Sequence, residues 1–154
     1  MPERKVDSYQ VSLKLILKNK EGKTLILKAL DNGVYAGHYD LPGGRIDTDE
    51  FGVDFVEIIK REAKEELGGV KIKVKLRPVA LGRHLHRSLS QEGRRVPIIL
   101  VFFEGEFLGG EISISHEHTS YEWVKLDEIN LTTYFTSSIL EGVQMYLGQK
   151  SSDA

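Results

Sequence analysis

The sequence predicts an α+β domain, a mixed β-sheet with helices packed on it as a sandwich. Three observations carry this. Several short runs alternate apolar and polar residues, the period of a half-buried strand. One segment near residues 56–67 repeats its apolar residues at helical spacing, and so does a second near 136–147. The order along the chain is two strands, a helix, several strands and a helix, which suits one sheet covered by helices.

The bulk composition agrees. The chain has 154 residues, enough for one domain with a real core, here taken as about 8–147 within a single domain 1–154. Lys and Arg number 21 against 23 Asp and Glu, a net charge of −2, which gives no global attraction to nucleic acid or to an anionic membrane. There is no cysteine, so disulfides, thiolate metal sites and cysteine nucleophiles are excluded. No apolar run approaches a membrane span. The opening MPERKVDSYQ is charged and lacks a signal-peptide core, so the expected location is cytoplasmic.

Element by element, QVSLKLIL (10–17) and TLILKAL (24–30) read as a hairpin joined by the turn KNKEGK. DNGVYAGH (31–38) is a loop, and a short extended piece, Tyr39 to Leu41, leads into Pro42 and a glycine turn. In the helix that follows, Val56, Ile59, Ala63 and Leu67 form one stripe, and Gly68 and Gly69 suit its end. VKIKVKL (70–76) alternates strictly, VALGRHLH (79–86) continues the sheet beyond Pro78, and SLSQEGRR (88–95) is a loop. VPIILVFFEGEF (96–107) is the most apolar strand and is expected at the centre, with YEWVKL (121–126) the last strand. Ile139, Leu140, Val143 and Leu147 mark the terminal helix, and the tail from Gly148 is expected to fray.

The chemistry concentrates in DLPGGRIDTDEFGVDFVEIIKREAKEELGG (40–69). On a helix, Glu62, Glu65 and Glu66 stand at i, i+3 and i+4 and share a side, where like charges repel unless a cation lies between them. Carboxylate oxygens suit hard divalent ions such as Mg²⁺. Arg61 lies four residues from both Glu57 and Glu65 and can clamp a carboxylate. Alone, such a charge run is usually a solvated helix face. Joined to the preceding LPGG and to Glu50, it is far less easily accidental, because paired glycines let backbone approach a ligand closely.

These residues resemble the box of the Nudix hydrolase family, in its MutT-like form. Gly44 and Glu50 match the opening of that box, and Arg61-Glu62-Ala63-Lys64-Glu65-Glu66-Leu67-Gly68 matches its core. LPGG and the later YEWVKLDEI are also similar to family members. Two departures stand out. Ten residues rather than seven separate Glu50 from Arg61, and Gly69 takes the last apolar position. The extra residues are expected in FGVDF (51–55), which leaves the helical core of the box intact and Glu50 without an assigned role.

The resemblance implies the Nudix α/β/α fold and hydrolysis of a nucleoside diphosphate linked to another moiety. Glu62, Glu65 and Glu66, with the carbonyl of Gly43 or Gly44, would hold Mg²⁺ or Mn²⁺, and Arg61 would orient Glu65. Glu117, six residues before Trp123, is similar to an acidic loop residue of several members and is a ligand or the general base, with Glu122 its competitor. Arg45, Lys28, Tyr39, Arg83 and His86 are substrate-binding candidates, although the arginine-rich stretch 82–95 also reads as a solvated basic loop. The expected partner is a nucleotide, with neither nucleic acid nor membrane, and a homodimer is allowed. Leu85 stands where ADP-ribose hydrolases of the family often carry a proline, and the tyrosine frequent in dinucleoside polyphosphate hydrolases is missing nearby, so these absences lean toward (d)NTP substrates. A nucleotide-sensing domain without activity is the competing function. An isoprenyl diphosphate isomerase is disfavoured by the missing cysteine.

Overall fold

A computed structural model describes residues 3–152, and their side chains through residue 148. Seven strands form one sheet: β1 (Gln10–Lys18), β2 (Thr24–Ala29), β3 (Tyr39–Asp40), β4 (Gly43–Arg45), β5 (Lys71–Leu89), β6 (Arg95–Gly109) and β7 (His118–Val124). The order β3-β2-β1-β6-β5 is extended by β4 on β1 and β7 on β2. β1 and β6 run parallel, and the other pairs are antiparallel, so the sheet is mixed. The apolar β6 lies between β1 and β5, in the sheet interior as its composition predicts.

Helices α1 (Phe55–Leu67), α2 (Leu131–Tyr134) and α3 (Ser137–Ser152) complete the domain. Alternation along β1 assigns the two faces. Leu13, Leu15 and Leu17 point to one side and pack with Ile58, Ile59, Ala63 and Leu67 of α1. Ile16 points to the other side, with Phe102 and Ile98 of β6, against Ile139, Val143 and Tyr146 of α3. Each fully buried Leu or Ile contributes about 1.5–3 kcal/mol, so two independent apolar layers hold the sheet rigid between helices. The domain is therefore the α/β/α sandwich expected.

Some details differ from the sequence reading. The stretches around Pro78 form one long strand, β5, because bulges at Val74–Pro78 and Pro78–Ala80 absorb the residue that cannot donate to the ladder. The expected basic loop 88–95 shrinks to a hairpin turn closed by the Ser90 N–H bond to Arg94 O (2.6 Å). The glycine turn is instead the strand β4. The short helix α2 and a 3-10 turn at Thr48–Glu50 carry too few residues to show a periodicity. The tail expected to fray continues α3 to Ser152, and residues 153–154 lie outside the described residues.

Candidate functional site

The site is built where α1 meets the two glycines of β4. The bonds from Leu15 N–H to Pro42 O and from Ile46 N–H to Val11 O set the alternation of the β1–β4 ladder. Leu13 and Gly44 then form a bonded pair, and Gly43 turns its polar groups away from β1. Its N–H donates to Glu66 Oε2 at 2.8 Å. Gly43 has φ 139°, and a Cβ there would lie 1.9 Å from Leu13 O, so only glycine fits. At Gly44 a Cβ would lie 2.6 Å from both carboxylate oxygens of Glu62. The glycine pair thus lets strand backbone touch the acidic helix. Gly43, rather than Gly44, has its backbone polar groups facing the carboxylates.

The helix distributes its glutamates unequally. Glu66 is buried, 3% exposed, and the Glu62 side chain is 13% exposed. Glu65 sits at the rim, 59% exposed, where Arg61 Nη1 holds it at 3.2 Å. Arg61 donates from Nε to Glu50 Oε2 (2.9 Å) and from Nη2 to Glu50 Oε1 (2.8 Å), and lies 3.1 Å from Glu62 Oε1. Glu57, the other expected partner, pairs with Lys60 instead. The longer spacing therefore does not release Glu50. Residues 51–54 bulge outward, with Phe51 fully exposed, and Glu50 returns to the guanidinium.

Burial pushes the Glu66 carboxyl up to about 8, against the opposing pull of Lys14 and of the Gly43 N–H. Burial also raises Glu62, with Arg61 opposing and Glu65 adding to the rise. Glu50 is held low by Arg61 first and then by the Asp47 N–H. Glu62 and Glu66 are consequently the two carboxylates whose negative charge the protein leaves poorly compensated. Beneath them Lys14 is buried and bonded to Asp40 (3.1 Å). Burial opposes its charge, but Asp40, Tyr35 and Glu66 outweigh this and raise its pKa.

The family description NUDIX domain matches residues 8–140. The chain belongs to the Nudix family. It is accordingly a Nudix pyrophosphohydrolase by family. It is 26% identical over 116 residues to the nucleoside triphosphatase NudI of Escherichia coli, covering 74% of this chain and 80% of that one. Among solved structures it resembles a MutT protein from Methanosarcina mazei Go1, with TM-score 0.65, 22% identity and coverage of 94% of this chain and 95% of that one. It also resembles an ADP-ribose pyrophosphatase from Streptococcus suis (TM-score 0.62, 21% identity, 96% of each chain covered). A C. elegans Ap4A hydrolase gives TM-score 0.63 at 17% identity, with 93% of this chain and 98% of that one covered. These likenesses establish a shared fold.

Around the Nudix segment the other candidates separate. Arg45 and His86 line a cleft of about 300 Å³ that begins at Gly44 and runs over β1 and β6 to β5. Arg83 alternates to the opposite side of β5 from His84 and His86 and does not line it. Lys28 lies over the Tyr39 ring, 5.0 Å from its centroid, and Tyr39 also packs on Tyr134, so both are engaged outside this cleft. Glu117 is exposed, on a loop tied to the end of α1 by Ser113 N–H to Leu67 O (2.9 Å) and Ser115 N–H to Glu66 O (3.1 Å). Glu122, on β7, instead lies beside Tyr39, and its carboxylate pushes the Tyr39 phenol up. Of the two competing acids, Glu117 is the one on the loop tied to the end of α1.

Among the described residues, no three His, Asp or Glu side chains converge as a ready-made metal cage. Mg²⁺ does not require one: it keeps several waters and binds through one or two carboxylates together with substrate phosphates. A buried and a half-buried carboxylate, both poorly compensated, beside an open glycine backbone fit that habit. Sequence reasoning missed Lys14, Asp40 and His118, which are scattered along the chain and share no motif. His118 is 8% exposed, and its Nε2 lies 3.7 Å from Asp40 Oδ2.

Proposed function

We propose that this Nudix domain hydrolyses the pyrophosphate linkage of a nucleoside diphosphate linked to X, with nucleoside triphosphates as the preferred class, and that it depends on a divalent cation. The observation that carries this is the contact of Glu62 and Glu66 with the Gly43–Gly44 backbone, at the mouth of a cleft bearing Arg45 and Lys14. Glu62 and Glu66, with the Gly43 carbonyl and with Glu65 from the rim, would hold Mg²⁺ or Mn²⁺. Bound there, the ion supplies neutralisation of phosphate charge and acidification of water.

The chain's own groups do the rest. Arg61 fixes Glu65 and Glu62 in one orientation, and Glu50 fixes Arg61. Arg45, beside Gly44, donates to phosphate oxygens through its planar guanidinium fork. Glu117, exposed on its tethered loop, accepts the proton of the attacking water. The triphosphatase names of the curated relatives support the substrate class. A phosphate-release screen across (d)NTPs, ADP-ribose and dinucleoside polyphosphates, with Mg²⁺ and Mn²⁺, tests it. Fastest turnover of an NTP is expected. A preference for ADP-ribose or a dinucleoside polyphosphate would overturn the substrate class, and binding without turnover would favour a sensor.

A further inference from the structure

At the far end of the cleft from Gly44, Ser138 is fully buried in the first turn of α3. It can sit there because β5 has Gly82 beneath it, where a Cβ would lie 2.2 Å from Ser138 O. Ser138 Oγ makes two bonds of 2.7 Å, one to Tyr35 OH and one to His84 Nδ1. The Tyr35 and His84 rings also meet edge to face, 5.9 Å between centroids.

Two arrangements of protons satisfy this chain: Tyr35 donates to Ser138 and Ser138 to His84 Nδ1, which leaves the Nε2–H of His84 facing the cleft, or the reverse, which leaves the Tyr35 hydroxyl there. Burial raises the Tyr35 phenol to about 12, so it keeps its proton. Among the described residues, the hydroxyl of Ser138 is its only hydrogen-bonding partner, and in the first arrangement Tyr35 donates to it. Ser138 then has its own proton to give, and gives it to Nδ1 of His84. A neutral imidazole that accepts at Nδ1 carries its proton on Nε2. Burial first, and then His86, Arg45 and Lys14, lower His84 and keep it neutral. Nε2 lies on the far side of the ring from Ser138 and makes no bond to a described residue.

His84 lines the same cleft as Arg45. The row Arg45–Ser12–Leu100–Gly82 crosses from β4 through β1 and β6 to β5, with His84 paired to Ile98 in the next row. Three strand spacings separate the ends, about 14 Å. The cationic groups Arg45 and Lys14 lie at the glycine end, and the floor beside His84 is the apolar pair Ile98 and Leu100. Phosphates suit the first end and a flat base suits the second.

We propose that His84, fixed as its Nε2–H tautomer by the Tyr35–Ser138 relay, donates to a carbonyl oxygen on the nucleotide base and thereby sets base preference. This rests on the nucleotide reading above. A donor there pairs with O6 of guanine or O4 of uracil or thymine, and meets an amino group it cannot pair with at the same position of adenine or cytosine, a strong source of discrimination.

The test has two parts. Ring ¹⁵N spectra of the full chain should show His84 protonated at Nε2 and unprotonated at Nδ1, with Ser138→Ala abolishing that fixed pattern. Kinetically, kcat/KM should favour dGTP over dATP and dTTP over dCTP by roughly tenfold or more. His84→Phe should reduce both preferences below about threefold, chiefly through KM, with Mn²⁺ affinity unchanged. His84→Gln, whose amide nitrogen reaches the Nε2 position, should restore part of the preference. An Nδ1–H tautomer, or base preferences that survive His84→Phe, would overturn the proposal. If no nucleotide is hydrolysed, titration of the chain with dGTP and dATP is read at the His84 Nε2 resonance. A shift with dGTP alone keeps the base contact while the hydrolytic reading falls, and equal or absent shifts remove the contact.

Discussion

Arg61 grips Glu50 with two parallel bonds, Nε to Oε2 at 2.9 Å and Nη2 to Oε1 at 2.8 Å, across the bulge that precedes α1. The same guanidinium touches Glu62 and Glu65. Glu50 is in turn steadied by the Asp47 N–H at 2.9 Å. The orientation of the acidic face is therefore set from outside the helix.

This makes Arg61→Lys a severe change despite its retained charge, because an ammonium cannot reproduce the fork. Arg61→Lys and Glu50→Gln should each lower kcat by roughly tenfold to a hundredfold, with circular dichroism unchanged. Activity within about threefold of wild type in Glu50→Gln would show that the clasp is incidental.

Much of this was legible in the sequence, for identifiable reasons. Helical period gave α1 and α3, each with one apolar stripe, and apolar runs gave β1, β2 and β6, which are buried on both faces of the sheet. Glu62, Glu65, Glu66 and Arg61 were legible because a helix converts spacing into position. Glu50 was matched to the opening of the box, but its role was not legible, because its partner lies beyond a bulge whose path no periodicity encodes. Lys14, Asp40 and His118 meet only through sheet pairing between distant strands. Arg83 and His86 looked alike as basic residues of the stretch 82–95, and the alternation and pairing of β5 put His86 in the cleft and Arg83 on the other side.

The two glycines should fail differently. In Gly44→Ala the new Cβ meets only the end of the Glu62 side chain, which can move. That variant should fold with a melting temperature near wild type and lose activity at least about tenfold. In Gly43→Ala the Cβ meets Leu13 backbone at a φ of 139°. It should lose about 2 kcal/mol or more of stability, read by chemical denaturation. Equal behaviour of the two would contradict the β4 geometry.

Glu66 predicts a pH dependence in metal-free protein. Its ordinary value is 4.5, and burial raises it to about 8 in the folded state. Between those values the unfolded chain has released the proton and the folded chain still holds it. Stability therefore falls as pH rises through this window. Glu66→Gln removes that dependence. At pH 8 in EDTA the variant should melt several degrees above wild type, and the gap should narrow toward pH 5. Parallel melting profiles across this range would refute the buried, poorly compensated carboxylate.

Glu117 and Glu122 separate by kinetics. With Glu117 as the base, Glu117→Gln should depress kcat by roughly a hundredfold at saturating metal, leaving KM and Mn²⁺ affinity near wild type. Glu122→Gln, which alters only the Tyr39 contact, should stay within about threefold. A fall in Mn²⁺ affinity for Glu117→Gln, with partial rescue by excess metal, would make Glu117 a ligand instead.

The most direct measurement is the initial rate of nucleoside triphosphate hydrolysis in EDTA and then across a Mg²⁺ titration, in wild type and Glu66→Gln. Wild type should be inactive in EDTA and recover saturably with Mg²⁺. Glu66→Gln should stay at least about a hundredfold slower at every Mg²⁺ concentration. Turnover that persists in EDTA, or a Glu66→Gln variant at wild-type rates, would contradict a divalent-cation site at Glu62 and Glu66.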